Sequence, residues 1–192
     1  RLNSGSTCVS IFLRKNNINK IYIANVGDSR AIIVKDSKNN VKKTYEQLSR
    51  DHKPSEKDEA ERILQHGGEI EQIQNEKGEW EGPLRIFMKG EEGPGLAMSR
   101  SFGDVMGSLL GVIPEPEVTE YTIKKEDKAI IIASDGLWEY VSNEKVADIV
   151  NNLLNKNDAN EIVNELYKIS YKKWKIQDCG MDDITIICVL LK

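Results

Sequence analysis

Two short segments place an aspartate at the end of an apolar run. Ser134-Asp135-Gly136-Leu137-Trp138 follows the run 129–133, and Met181-Asp182-Asp183-Ile184-Thr185 leads into a second run, 184–191. If these two strands are antiparallel, the end of the first lies beside the start of the second, and the two carboxylates become neighbours. Because neighbouring carboxylates repel each other, such a pair is usually built to hold a cation. All the ligands on offer are oxygens, so a hard divalent ion such as Mg²⁺ or Mn²⁺ is the expected guest.

The composition indicates which classes of protein the chain can belong to. With 192 residues, 39% of them hydrophobic and 30% charged, the chain has room for one domain with a sizeable core. A net charge of -4 argues against nucleic acid as a partner, and no apolar run approaches the roughly 18 residues that a membrane span needs. Cys8, Cys179 and Cys188 are odd in number and scattered, which favours a reducing compartment over a disulfide framework.

The apolar pattern predicts strands and helices in separate blocks. Strands are predicted at 7–13, 20–26, 30–35, 117–123, 129–133 and 184–191, with a weaker one at 45–48. The first helix is predicted to open at Ser55 with Asp58 as its capping-box partner, and the second follows an Asn143 cap. A third opens at the capping box of Asp158 and Glu161. This arrangement predicts an α+β fold of antiparallel sheets, each with a face covered by helices.

Residues 72–96 carry little signal for regular structure. Gly, Glu and Lys dominate there, and we interpret the segment as a mobile, flap-like excursion on the surface. Trp80 stands out in this polar stretch as a contact for a substrate or partner, although a role in anchoring the flap is equally open.

Seven strings along the chain point to a family. In order they are Gly5-Ser6-Thr7; Ala24-Asn25-Val26-Gly27-Asp28-Ser29-Arg30-Ala31; Asp51-His52-Lys53-Pro54; Leu96-Ala97-Met98-Ser99-Arg100-Ser101-Phe102-Gly103-Asp104; Pro114-Glu115-Pro116-Glu117-Val118; and the two aspartate corners. The series resembles the C-terminal part of the catalytic domain of metal-dependent protein phosphatases of type 2C, the PPM family. The resemblance runs from about residue 4 to 189 and is closest to the plant and protist branches.

The resemblance implies a fold, a reaction and metal ligands. The fold is a sandwich of two antiparallel β-sheets flanked by helices, here lacking the N-terminal strands and helix. In the family, a hydroxide bridging two Mn²⁺ or Mg²⁺ ions hydrolyses phosphoserine and phosphothreonine in proteins. Carried over by motif, Asp135 and Asp182 ligate one ion of the pair, and Asp28 helps to bind a third, weaker ion. Glu139 stands where many relatives have Asp, and because its extra methylene lengthens any contact with that third ion, we do not assign it as a ligand.

Other family strings are missing here. The bridging aspartate, a further glutamate ligand, the phosphate-binding arginine and the candidate acid histidine lie in the family's N-terminal half. We therefore assign no catalytic residue beyond the metal ligands. We expect residues 1–192 to form a single partial phosphatase domain that is inactive alone.

Alternatives remain beside the protein phosphatase. The chain could be a non-catalytic interaction module with the same fold, and a phosphatase of small metabolites is a third reading. Each Asp-Gly or Gly-Asp pair taken alone is also typical of an ordinary turn. Arg100 and Asp104 are interpreted as a structural ion pair, and Trp138 and Trp174 as packing aromatics. We expect phosphoprotein substrates, a regulatory protein at the flap, no nucleic acid, no membrane, and a cytoplasmic or nuclear location.

Overall fold

The computed structural model describes residues 4–14, 17–36, 44–75, 77–91, 93–177 and 180–191. The chain divides into two compact units. The first unit comprises Arg1–Cys8, Asn25–Asp28 and Asp51–Glu117, and the second comprises Val9–Ala24, Ser29–Arg50 and Val118–Lys192.

Strands and helices follow one another along the described residues. They are β1 (Gly5–Ser6), β2 (Cys8–Arg14), β3 (Asn17–Val26), β4 (Arg30–Lys35), β5 (Tyr45–Gln47), α1 (Lys57–Gln65), β6 (Gly68–Gln74), β7 (Trp80–Met88), β8 (Pro94–Leu96), β9 (Phe102–Gly103), α2 (Val105–Ser108), β10 (Glu117–Thr122), β11 (Asp127–Ala133), α3 (Asp135–Trp138), α4 (Asn143–Leu153), α5 (Ala159–Gln177) and β12 (Ile186–Leu190).

The second unit is built on a four-stranded sheet with the order β12-β11-β4-β5. All three pairings in it are antiparallel, and Ile130 of β11 lies between Val189 and Ile33. The run 129–133 is apolar without a break because both faces of its strand are covered. Helices α4 and α5 cover one face, where Ile131, Val150 and Leu166 are fully buried.

The opposite face of this sheet packs against a three-stranded sheet, β10-β3-β2. Ile21 and Ile23 of β3 and Ile33 of β4 are buried in the cluster that the two sheets share. The predicted α+β fold, with sheets stacked on each other and helices on an outer face, is thereby confirmed.

The first unit contains an antiparallel sheet, β6-β7-β8, where the sequence predicted little regular structure. Ile86 of β7 is fully buried with Ile63 of α1 and Leu110, while most side chains of β6 and β7 are exposed or half-buried. Strands with so few buried positions lack the alternating apolar pattern on which a sequence-based prediction depends.

Two of the predicted helix starts differ from the structure. Helix α1 begins at Lys57 rather than Ser55, and its N-cap Glu56 makes no side-chain cap hydrogen bond. Helix α4 is capped by Ser142, whose hydroxyl accepts from the Lys145 N–H, one residue before the predicted Asn143. For α5 the Asp158 cap is confirmed, since its carboxylate accepts from the Asn160 N–H at 2.9 Å.

Among the described residues, no helix combines the length and the apolar composition that a membrane span requires.

Candidate metal centre

The two aspartate corners meet at one end of the β11–β12 pair. The strands are antiparallel, Ala133 lies opposite Ile186, and the Ser134 N–H donates to the Thr185 carbonyl at 3.1 Å. The last residues of β11 and those before β12 are therefore neighbours. The antiparallel pairing of the two apolar runs is confirmed, and the contact between the Asp135 and Asp182 carboxylates stays a prediction.

Side-chain contacts tie the corners together. The Ser134 hydroxyl donates to the Asp183 carbonyl at 3.0 Å and accepts from the Thr185 N–H at 3.1 Å. The Asp182 carboxylate accepts from the Asp183 N–H at 2.7 Å, which holds that side chain close to its own backbone.

Gly136 allows a close approach between the corners. A Cβ built on Gly136 would lie 2.3 Å from the Asp183 carbonyl oxygen. At that distance the backbone would have to shift to accommodate any side chain. The glycine of the Asp-Gly pair is thus required by packing of backbone on backbone and not by a turn alone.

The donors at this junction suit a hard cation. Asp135 is half-buried at the first position of α3, and Asp182 is exposed to solvent. Carboxylate oxygens of this kind are what Mg²⁺ and Mn²⁺ prefer. Within the residues that the structure describes, no group of three or more His, Cys, Asp or Glu side chains could hold a metal ion together. Asp135 and Asp182 match the ion in donor chemistry but are too few to hold it alone, and their role as metal ligands stays a prediction.

Trp138 fixes α3 against the sheet. Its indole N–H donates to the Ala133 carbonyl at 2.9 Å and to the Arg30 carbonyl at 3.2 Å, and the Arg30 guanidinium lies 5.2 Å from the ring centre. The sequence predicted a packing aromatic here, and the structure adds two hydrogen bonds next to the Asp135 corner.

Asp28 lies in the first unit, two residues after the end of β3. It is 4% exposed, and the Lys53 ammonium is 3.9 Å from its carboxylate. The preceding Gly27 has φ 102°, a left-handed conformation that favours glycine, and a Cβ there would lie 2.3 Å from Thr7.

His52 holds the Gly27–Asp28 turn, a role that sequence reasoning missed. The ring is fully buried, its Nδ1 accepts from the Gly27 N–H at 3.1 Å, and the His52 N–H donates to the Gly27 carbonyl at 3.0 Å. Since Nδ1 is the acceptor, a neutral ring carries its proton on Nε2, which lies 3.6 Å from a Glu117 carboxylate oxygen.

Arg100 pairs with Glu59 and not with the predicted Asp104. Its Nη2 is 2.6 Å from Glu59 Oε1, and Arg62 Nη2 is 2.6 Å from Oε2. The Asp104 carboxylate instead lies against Gly5, where a Cβ would be 2.0 Å from Asp104 Oδ2. The sequence pattern suggested a local pair four residues apart, whereas the actual partner comes from α1.

Comparison with models of protein families shows to which family the chain belongs. The model described as "Protein phosphatase 2C" matches residues 1–174. The chain belongs to the protein phosphatase 2C family.

Individual relatives agree with this family. The chain is 36% identical over 190 residues to "Probable protein phosphatase 2C 61" of Arabidopsis thaliana, covering 98% of this chain and 55% of the relative. It is 36% identical to "Probable protein phosphatase 2C 12" of Oryza sativa subsp. japonica, covering 98% of this chain and 46% of the relative. The chain thus spans about half the length of the curated relatives it matches.

Solved structures show the same fold. A serine-threonine phosphatase 2C from Toxoplasma gondii superposes with a TM-score of 0.78 at 24% identity, covering 98% of this chain and 58% of that one. A C. elegans sex determining protein superposes with a TM-score of 0.70 at 25% identity, covering 98% and 40% respectively.

In this protein phosphatase 2C chain, Trp80 opens β7 and is 59% exposed. Its strand neighbour Gln74 lies opposite it on β6. The contact of Trp80 with a substrate or partner stays a prediction. Cys179 lies outside the described residues.

Proposed function

We propose that the intact protein is a metal-dependent protein serine/threonine phosphatase, a hydrolase of phosphoserine and phosphothreonine, and that this chain supplies part of its metal shell. The observation that carries the proposal is the junction of the Asp135 and Asp182 corners, joined through Ser134. A scaffold without catalysis has no need to keep two like charges at the meeting point of two strand ends.

The mechanism assigns each residue a limited task. Asp135 and Asp182 hold one ion of an Mn²⁺ or Mg²⁺ pair, and Asp28 contributes to a third, weaker site. When bound, such ions supply an activated water and neutralise phosphoryl charge. Asp135 is positioned by α3 and by the Gly136 contact, whereas Asp182 stays open to solvent, from which a phosphorylated side chain can approach.

Phosphoproteins are the proposed substrates, with Trp80 as a contact for a substrate or for a regulatory protein. A large exposed indole on a strand offers apolar area that a protein partner can bury. The alternative is an interaction module with the phosphatase fold. It is favoured only if the intact protein fails to bind the metal.

The test is Mn²⁺-dependent hydrolysis of a phosphothreonine peptide by the intact protein and by the 192-residue chain. Asp135→Asn in the intact protein should abolish turnover, whereas Asp148→Asn, an equal charge change on exposed α4 surface, should leave it unchanged. We expect no turnover from the 192-residue chain alone. Retained turnover in Asp135→Asn would remove the metal-ligand assignment.

A cytoplasmic or nuclear location is part of the proposal. Cys8 and Cys188 are free thiols in the structure, which fits a reducing compartment. Cell fractionation tests this, and recovery with secreted material would contradict it.

A further inference from the structure

The carbonyl of Gly136 is held by two side chains of one helix. Ser170 Oγ donates to it at 2.6 Å, and Trp174 Nε1 donates to it at 2.6 Å. Both donors lie on α5, four residues apart, and so on the same face of the helix.

Gly136 is the residue next to the proposed ligand Asp135, and its opposite side is also fixed. There it packs on the Asp183 carbonyl so closely that a Cβ would lie 2.3 Å away. The backbone of the Asp135 corner is therefore held between the chain that carries Asp182 and helix α5.

Ser170 is fully buried, on a helix face that otherwise buries Ile162 and Leu166. A buried hydroxyl is costly unless it is hydrogen-bonded, and the Gly136 carbonyl is the acceptor that satisfies it. An apolar residue at this position would take one donor away from the Gly136 carbonyl.

The indole of Trp174 is itself oriented. Its ring meets the Tyr140 ring edge-on, with centroids 4.7 Å apart and planes at 87°. Lys173 Nζ also donates to the Tyr140 carbonyl. These contacts keep the Trp174 N–H aimed at Gly136 rather than at solvent.

We propose that Ser170 and Trp174 are positioning residues for the metal centre, setting the Asp135 carboxylate relative to Asp182 through the Gly136 carbonyl. Partners beyond the ligands of a metal commonly orient those ligands and tune affinity in this way. The inference rests on the proposed function, because it takes Asp135 and Asp182 as ligands.

The experiment titrates Mn²⁺ into the intact protein by calorimetry and compares Ser170→Ala and Trp174→Phe with the unchanged protein. Trp174→Phe keeps an aromatic ring at this position and removes the N–H donor together with one ring of the indole. Each variant should weaken Mn²⁺ binding roughly tenfold. At saturating Mn²⁺, kcat and the KM for a phosphopeptide should return to the values of the unchanged protein. Tyr167→Phe, which loses a hydroxyl on the exposed face of the same helix, is the matched control.

The possible outcomes distinguish a failure of the positioning role from a failure of the proposed function. If the variants lower the melting temperature but bind Mn²⁺ with unchanged affinity, Ser170 and Trp174 are only structural and the inference is overturned. If Asp135→Asn loses Mn²⁺ binding while both α5 variants retain it, the metal assignment stands and the positioning role fails. If the unchanged protein binds no Mn²⁺, the proposed function and this inference fail together.

Discussion

Arg100 contacts both carboxylate oxygens of Glu59: its Nη2 lies 2.6 Å from Oε1 and its Nε lies 3.2 Å from Oε2. Glu59 has no exposed surface, and Arg62 and Ser99 complete its hydrogen bonding. A buried charge is tolerated only with such partners, so this pair ties α1 to the 99–100 segment within the first unit.

Glu59→Gln should lower the free energy of unfolding by about 3–5 kcal/mol, because it leaves two guanidinium groups partly buried without their counter-charge. Urea denaturation measures the loss. Glu61→Gln, on the exposed side of α1, is the control and should change stability by less than about 0.5 kcal/mol. Equal effects of the two variants would contradict the assignment.

The same carboxylate predicts a pH dependence. Burial raises the pKa of Glu59, but hydrogen bonds from Arg62, Arg100 and Ser99 outweigh it and hold the pKa well below its ordinary value of 4.5. A carboxyl with a depressed folded-state pKa stabilises the fold above its unfolded pKa, and this contribution is lost as the pH falls towards the folded value. Stability should therefore decline below about pH 4.5, and less steeply in Glu59→Gln. Parallel pH profiles of the two proteins would argue against this.

Gly136→Ala should destabilise the second unit, since its Cβ would lie 2.3 Å from the Asp183 carbonyl oxygen. Overpacking of this kind costs about 1–3 kcal/mol and should also displace Asp135, which weakens Mn²⁺ binding. Thermal unfolding with and without Mn²⁺ measures both effects. Gly93→Ala meets nothing within 4 Å and serves as the control. Full stability and full Mn²⁺ affinity in the Gly136→Ala variant would refute the prediction.

Trp80→Ala should raise the KM for a phosphoprotein while leaving the hydrolysis of a small aryl phosphate unchanged, because the exposed indole offers apolar area that a protein substrate can bury. Steady-state kinetics on the two substrates measure the difference. Ile73→Ala is the control: Ile73 is 50% exposed and pairs with Glu81, one position further along. A matching loss on the small substrate would indicate a role in catalysis or folding instead.

Cys188 should react slowly with thiol reagents, because burial raises its pKa from 9.0 to about 11. Two pKa units correspond to a roughly hundredfold smaller thiolate fraction at neutral pH than for an ordinary thiol. Cys8 is exposed and should react first. In a background that carries Cys179→Ser, the variants Cys8→Ser and Cys188→Ser each leave one of these two thiols, and a colorimetric thiol assay then gives the rate of each. Similar rates at both positions would contradict the burial of Cys188.

The local patterns that were predicted correctly are those with a strong, short-range signal. The apolar runs 129–133 and 184–191 require strands, and the aspartates at their ends require a shared corner once the strands pair. The prediction of an irregular segment at residues 72–96 was wrong. Strands that are exposed at most positions are held by backbone hydrogen bonds, and these do not require a particular residue composition.

The sequence by itself determined the strand blocks, the family motifs and the two carboxylates at the corner, because residue type and spacing act over a few neighbours. Only the tertiary structure decided which polar residues are buried and what they contact. Glu59 receives Arg100 from 41 residues away, and Ser170 reaches back 34 residues to the Gly136 carbonyl. Such contacts depend on how elements far apart in the sequence pack together. The residues on either side of Glu59 or Ser170 in the sequence therefore do not predict them.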